Sequence, residues 1–382
     1  KEILMFPVMH TSAITPVFNS AITDGQLDLS RRGPEAVPLA IKACTDHSTL
    51  TSLNLENNQL VATDALPLAQ LLTAHSNLTS LDLARNQLGP EGASSLALAL
   101  TDNSSLTSLN LWTNNLNAGG ALPFALMLRV NSGLTKLDLG HNRLGSTDAE
   151  SMASALTDNS TLRSLNLGWN LLSAEDSLPL ALALTTNSSL TSFDIGGNKL
   201  GAKGALSFAN AFMTNSTIES LDLMANELGV EGIRSIAQML TVSPSITSLS
   251  LAGNHLGVGG VHTLAQALIA NSILSNLWLG HNKLGPVDAL SLAQALAANG
   301  SLTSLDLEEN QLGNQGALFL ADALIVNSTL TNLNLQYNEP NGTDTDLLAR
   351  IQLLLDRNWH NACMRDQSLT RYLLQHPHLL RV

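Results

Sequence analysis

The sequence predicts an α/β solenoid, with a parallel sheet of short strands on one side and helices on the other, and three observations carry that prediction. A stretch such as LTSLDLARNQLG, residues 78–89, returns every 28 residues, with copies starting at Leu50, Leu78, Leu106, Leu134, Leu162, Leu190, Ile218, Ile246, Leu274, Leu302 and Leu330. The ninth position is Asn in all eleven copies, from Asn58 to Asn338. Within each copy the apolar spacing changes from that of a strand to that of a helix. One strand and one helix cannot bury their own apolar faces, so each unit must lean on its neighbours and the array shares one core.

Taken in order, the chain opens with KEILMFPV, too short an apolar run to span a membrane and without a signal-peptide cleavage pattern. From Gln26, QLDLSRRGPEAVPLA aligns with SLDLARNQLGPEGASSLA once two residues are removed. It reads as a shortened first repeat, so residues 1–49 are expected to cap one edge. Residues 50–338 are the array. In each unit the apolar residues at positions one, four and six turn inward from a strand, and the Asn at nine hydrogen-bonds the backbone where the chain bends. Stacked copies give a ladder of such Asn side chains. The following helix, GASSLALALTDN in one copy, buries Ala93, Leu96, Ala97 and Leu100 on one face. Position 20 is Ala in all ten complete repeats, from Ala69 to Ala321, and a bulkier side chain there should overpack. Helices are wider than strands, so the sheet is expected on the concave side of a curve. Glu339-Pro340-Asn341-Gly342 breaks the pattern. A helix from Thr343 to Asp356 and a helical tail through Arg371-Tyr372-Leu373-Leu374 then make 339–382 a C-terminal cap.

A longer period overlies the first. Copies at 50, 106 and 162 carry Asn54, Asn110 and Asn166 with Pro67, Pro123 and Pro179; those at 78, 134 and 190 carry Asp82, Asp138 and Asp194 with Ser95, Ser151 and Ser207. Proline at this place suits the first turn of a helix, where its missing N–H costs nothing. Adjacent strands lie only ~4.8 Å apart, so alternating Asn with Asp avoids a self-repelling column.

The LxxLxLxxNxLGxxGxxxLAxALxxN unit and its two-unit alternation resemble the ribonuclease-inhibitor-type leucine-rich repeat proteins, over about residues 24–357. That resemblance implies a right-handed βα horseshoe that binds proteins on its concave or rim surface. The animal inhibitors are rich in cysteine and this chain has two, so the ribonuclease ligand does not carry over. The uniform Ser/Thr/Asn-rich copies are also similar to leucine-rich-repeat effectors that bacterial pathogens deliver into host cells.

Composition narrows the function. A net charge of −13, with only 18 Lys and Arg spread over the chain, disfavours nucleic acid as a partner. Cys44 and Cys363 lie near opposite ends of the array, so no disulfide framework or cysteine-rich zinc site is expected, and the chain reads as intracellular. No metal or cofactor is expected. His141 and His281 lie five repeats apart without an HExxH motif, and Gly257-Val258-Gly259-Gly260 uses the ordinary bend glycines of the repeat with no following Lys-Ser/Thr.

If constant residues build the scaffold, function lies where copies differ, at positions five, seven and eight. These hold Trp112, Trp169 and Trp278, three of the four Trp, together with Tyr337. They also hold Glu56, Asp82, Asp138, Asp194, Asp222, Asp306, Glu308 and Glu309 against Arg85 alone, with His141 and His281 beside them. Aromatic anchors on an acidic face suit a folded protein partner with a basic surface. The plainer alternative is that some rings pack over Gly168, Gly196 or Gly280 and that the acids are ordinary solvated strand residues. The expected function is non-catalytic protein binding, with no membrane or nucleic acid involved. The rival expectations are a regulator resembling leucine-rich GTPase-activating proteins and the sensor arm of a larger receptor.

Overall fold

The computed structural model describes residues 22–74, 77–338 and 344–365. The chain divides into two compact units, Lys1–Asn166 and Leu167–Val382. In the first, Gln26–Asp28 is the strand of the shortened repeat and pairs in parallel with Ser52–Asn54. The parallel ladder continues through Ser80–Asp82, Ser108–Asn110, Lys136–Asp138 and Ser164–Asn166, each shifted by one repeat so that like positions are neighbours. A two-residue strand, Ile22–Thr23, adds antiparallel to Gln26–Asp28 through an Asp24-Gly25 turn whose two φ angles are positive, the chemistry of a tight hairpin. In the second unit the parallel strands run from Ser192–Asp194 to Asn332–Asn334 in the same register.

Between strands the predicted helices form, and each buries the predicted stripe: Ala93, Leu96, Ala97 and Leu100 are within 2% of complete burial. All ten Ala at position 20 are buried, from Ala69 to Ala321. The Asn ladder is present in both units. Asn86 is one rung: its Oδ1 accepts the backbone N–H of Asn58 and Leu60 at 2.9 and 3.0 Å, while its Nδ2 donates to the carbonyls of Leu55, Leu83 and Ala84. A buried amide that satisfies five backbone groups replaces the water these bends would otherwise need.

The two-unit alternation has a structural basis that differs in part from expectation. Asn110 donates to Asp82 and Asn166 to Asp138, both at 3.1 Å, so the alternation links neighbouring copies as well as separating charges. Pro123 and Pro179 lie in the first turn of helices Leu122–Leu128 and Ser177–Thr186, as expected. Pro67 does not. Helix Ala62–Ala74 starts a turn earlier, with the Asp64 carboxylate accepting the N–H of Val61 at 2.8 Å, and this leaves Pro67 inside the helix. Asp148 and Asp288 cap the starts of their helices in the same way, whereas Asp176 accepts the Ser173 N–H but its helix begins only at Ser177. Past the array, one helix runs from Thr345 to Arg365, further than the expected end at Asp356. Glu339-Pro340-Asn341-Gly342 and the tail around Arg371 to Leu374 lie outside the described residues, as do residues 1–21 of the N-terminal segment.

Candidate functional site

Two of the variable positions, five and eight, have a fixed geometry in the repeat. Position five projects from the strand opposite the buried Leu, and its side-chain oxygen turns back onto the backbone two residues on. Asp82 accepts from Ala84, Asn110 from Trp112, Asp138 from Gly140, Asp194 from Gly196, Asp222 from Met224 and Asp306 from Glu308, at 2.8–3.0 Å. These five Asp residues are therefore turn-forming side chains, half-buried rather than freely solvated. Burial pushes the carboxyl pKa of Asp138 and of Asp222 upward, against the backbone hydrogen bonds that pull it down.

Position eight was legible only as variable. In all eleven copies its φ lies between 49° and 66°, the left-handed region. The bend needs this so that the N–H at position eight can still reach the next copy, as Arg85 reaches the Trp112 carbonyl at 2.7 Å and His281 that of Glu308 at 2.9 Å. Glycine fills the place at Gly197 and Gly253, but nine copies carry a side chain, among them Trp169 and Tyr337. Each costs roughly 1–2 kcal/mol relative to a relaxed backbone.

In the first unit the structure brings four predicted residues into one chain across successive copies. Glu56 Oε1 lies 3.5 Å from Arg85 Nε, the Arg85 guanidinium sits 5.1 Å from the Trp112 ring centroid, and Trp112 meets His141 at 5.4 Å between ring centres. Trp112 is half-buried and lies over Gly140, where an added Cβ would come within 2.7 Å of the indole. The alternative of rings over glycines is thus realised at Gly140, while Gly196 and Gly280 lie against Met224 and Glu308. Trp169 likewise covers Gly197, where a Cβ would fall 2.4 Å from the ring.

In the second unit the aromatic residues are more open: Trp169 is 49% exposed, Trp278 38% and Tyr337 71%. Trp278 occupies position five, in register between Ser250 and Asp306. Asp306 also accepts from Asn334, which donates to Glu308 as well, and His281 meets Glu309 at 2.9 Å. Asp194 and Asp222 are direct cross-strand neighbours. A cavity of about 330 Å³ opens on this strand face against Trp278, Met224, Asp222, Ser250 and Ala252. Positions one to nine of the last six copies contain no Lys or Arg but six carboxylates, whereas the first five copies balance Arg85, Lys136 and Arg163 against Glu56, Asp82 and Asp138. That asymmetry was readable in the sequence by counting each half separately.

Cys44 and Cys363 are buried and neither is in a disulfide, and burial pushes the Cys44 thiol up to about 11. Among the described residues no group of three or more His, Cys, Asp or Glu is placed to hold a metal ion, and no helix is long and apolar enough to cross a membrane.

Comparison with known proteins agrees on the repeat. The family described as Leucine Rich repeat matches residues 74–97, 130–153, 158–176, 186–209, 214–237, 242–265 and 298–321. No curated protein matches the chain. Among solved structures, an internalin from Listeria monocytogenes is 19% identical, with 75% of this chain and 81% of that one covered at a TM-score of 0.43. The tropomodulin C-terminal domain of Caenorhabditis elegans is 18% identical, covering 43% of this chain and 96% of that one at 0.37. The TLR13–ssRNA13 complex matches at 18% identity and 0.38 over 81% of this chain, which spans about half, 49%, of that protein. With the strand, Asn rung and helix repeated in both units and the family matched seven times, the chain folds as an array of leucine-rich repeats.

Proposed function

We propose that the chain is a non-catalytic scaffold that binds a folded protein through the strand face of residues 50–338, with residues 1–49 and 339–382 closing its ends. Leucine-rich repeats are in general protein-interaction modules. The observation that carries the reading is the open aromatic residues of the second unit: Trp169 is 49% exposed, Trp278 38% and Tyr337 71%, and Trp169 and Tyr337 stand in left-handed backbone that glycine adopts without steric cost. Large apolar rings left exposed beside the strands point to display. Trp169, Trp278 and Tyr337 are the anchors of this proposal. Asp194, Asp222, Asp306, Glu308 and Glu309 supply the field that draws a basic partner. Asp82, Asp138 and Glu56 contribute less, because Arg85, Lys136 and Arg163 offset them in the first half. Two buried cysteines outside any disulfide fit an intracellular setting.

The test is capture from the parent-cell and, following the effector resemblance, a host-cell lysate. Titration of the recovered protein against wild type and a Trp278→Ala/Tyr337→Ala variant follows. The variant should melt normally and bind at least ~30-fold more weakly, since hot-spot truncation costs about 2 kcal/mol or more. Equal affinity for both would refute the assigned surface.

A further inference from the structure

We propose that the cavity beside Trp278 receives a single arginine side chain of the partner, with the guanidinium lying between the indole and the Asp222 carboxylate. The inference rests on the protein-binding reading and names the chemistry of one contact within it.

The notch exists because of one break in the sequence pattern. Position five is Asp222, then Ser250, then Trp278 on three consecutive strands in register. Ser250 is the small member of this row and is buried, and Ala252 beside it is also small. Asp222 and Trp278 therefore stand two strand spacings apart, ~9–10 Å, with a low floor between them. That width admits a planar guanidinium with one contact on each side, and the cavity of about 330 Å³ has room for a whole arginine side chain. Met224 supplies an apolar wall along which the methylenes of an arginine can lie.

Charge selects the occupant. No Lys or Arg stands at positions one to nine of the last six copies, so the protein itself offers the notch no nearby strand-face cation. The Asp222 carboxylate spends one oxygen on the Met224 N–H at 2.8 Å and is also bonded by Ser250, yet burial still holds its pKa above the ordinary value. A cation placed against it relieves that cost. An indole face on the other side attracts the same cation, and guanidinium stacks on it better than ammonium does.

The experiment follows the four indole N–H resonances by NMR while N-acetyl-arginine amide is added, with the N-acetyl-citrulline amide, its uncharged isostere, as control. Arginine should move the Trp278 resonance saturably and bind about tenfold or more tightly than citrulline, as expected of a cation–π and carboxylate pair. Asp222→Asn should remove most of that preference. Its fold is secure, because Asn54, Asn110 and Asn334 occupy the same position and make the same turn. Ser250→Leu, which fills the floor, should abolish the response with the melting temperature checked alongside. Equal responses to arginine and citrulline, or an arginine preference untouched by Asp222→Asn, overturns the proposal. If the captured protein still binds and needs Trp278 while the notch ignores arginine, the notch assignment fails and the scaffold reading stands. An arginine-selective notch on a chain that captures no protein is the reverse case.

Discussion

Trp112, at position seven of its copy, and Trp278, at position five of its own, are both variable tryptophans beside the strands and have opposite fates. Trp112 is pinned between Arg85 and His141 and lies over Gly140, so its faces are used by the protein itself. Trp278 has only Ser250 and Asp306 as strand neighbours and keeps a cavity beside it. Around the first, strand-face charges cancel; around the second, they are all acidic. A variable aromatic residue on a repeat scaffold is thus a binding anchor only when the copies beside it decline to cover it. The residue alone does not decide.

The largest expected effect comes from removing the ground on which both indoles stand. Asn254, like Asn86, accepts two backbone N–H groups, from Asn226 and Leu228, and donates to the Leu223 and Ala252 carbonyls. Asn254→Ala or Asn86→Ala strands several buried backbone groups at once. Each should cost about 2–4 kcal/mol in urea unfolding. A cost below ~1 kcal/mol would mean that the ladder does not hold the bends.

A smaller change can turn the closed region into an open one. Gly140→Ala places a methyl where the Trp112 indole lies, and should displace the ring, lower stability by about 1–3 kcal/mol and raise its acrylamide quenching toward that of Trp278. Unchanged quenching would show that the ring was never seated there. Smaller again, Arg85→Ala removes an exposed cation from one face of Trp112 and should cost only about 0.5–1 kcal/mol.

The smallest effect is a sharp function of pH. The folded pKa of Asp222 is raised by burial, so the stability this group adds is fully present below its unfolded value, about pH 4, and is lost as pH rises through the folded value. Asp222→Asn removes that loss. The variant should melt above wild type at pH 7 and level with it near pH 3; a gain that persists at pH 3 would trace to something other than the carboxylate.

The scaffold was legible in the sequence because its determinants are local and repeated: inward leucines, one Asn per bend and one Ala per helix. Which acids are free was not legible, since an Asp that closes its own turn and an Asp that faces solvent read alike until the backbone is placed. Nor was the seat of Trp112, because Arg85 and His141 arrive from the copies before and after it. The early helix start at Asp64 was within reach, as an acidic residue three places after the bend is a capping pattern, but Pro67 drew attention away from it.

The division between the two indoles is tested most directly by measuring melting temperature and partner affinity together for Trp112→Ala and Trp278→Ala. Trp112→Ala should lower the melting temperature and leave the dissociation constant within about twofold, while Trp278→Ala should leave melting unchanged and weaken binding by tenfold or more, the scale of one anchor. The opposite pattern, with Trp112 needed for binding and Trp278 for stability, would contradict the account.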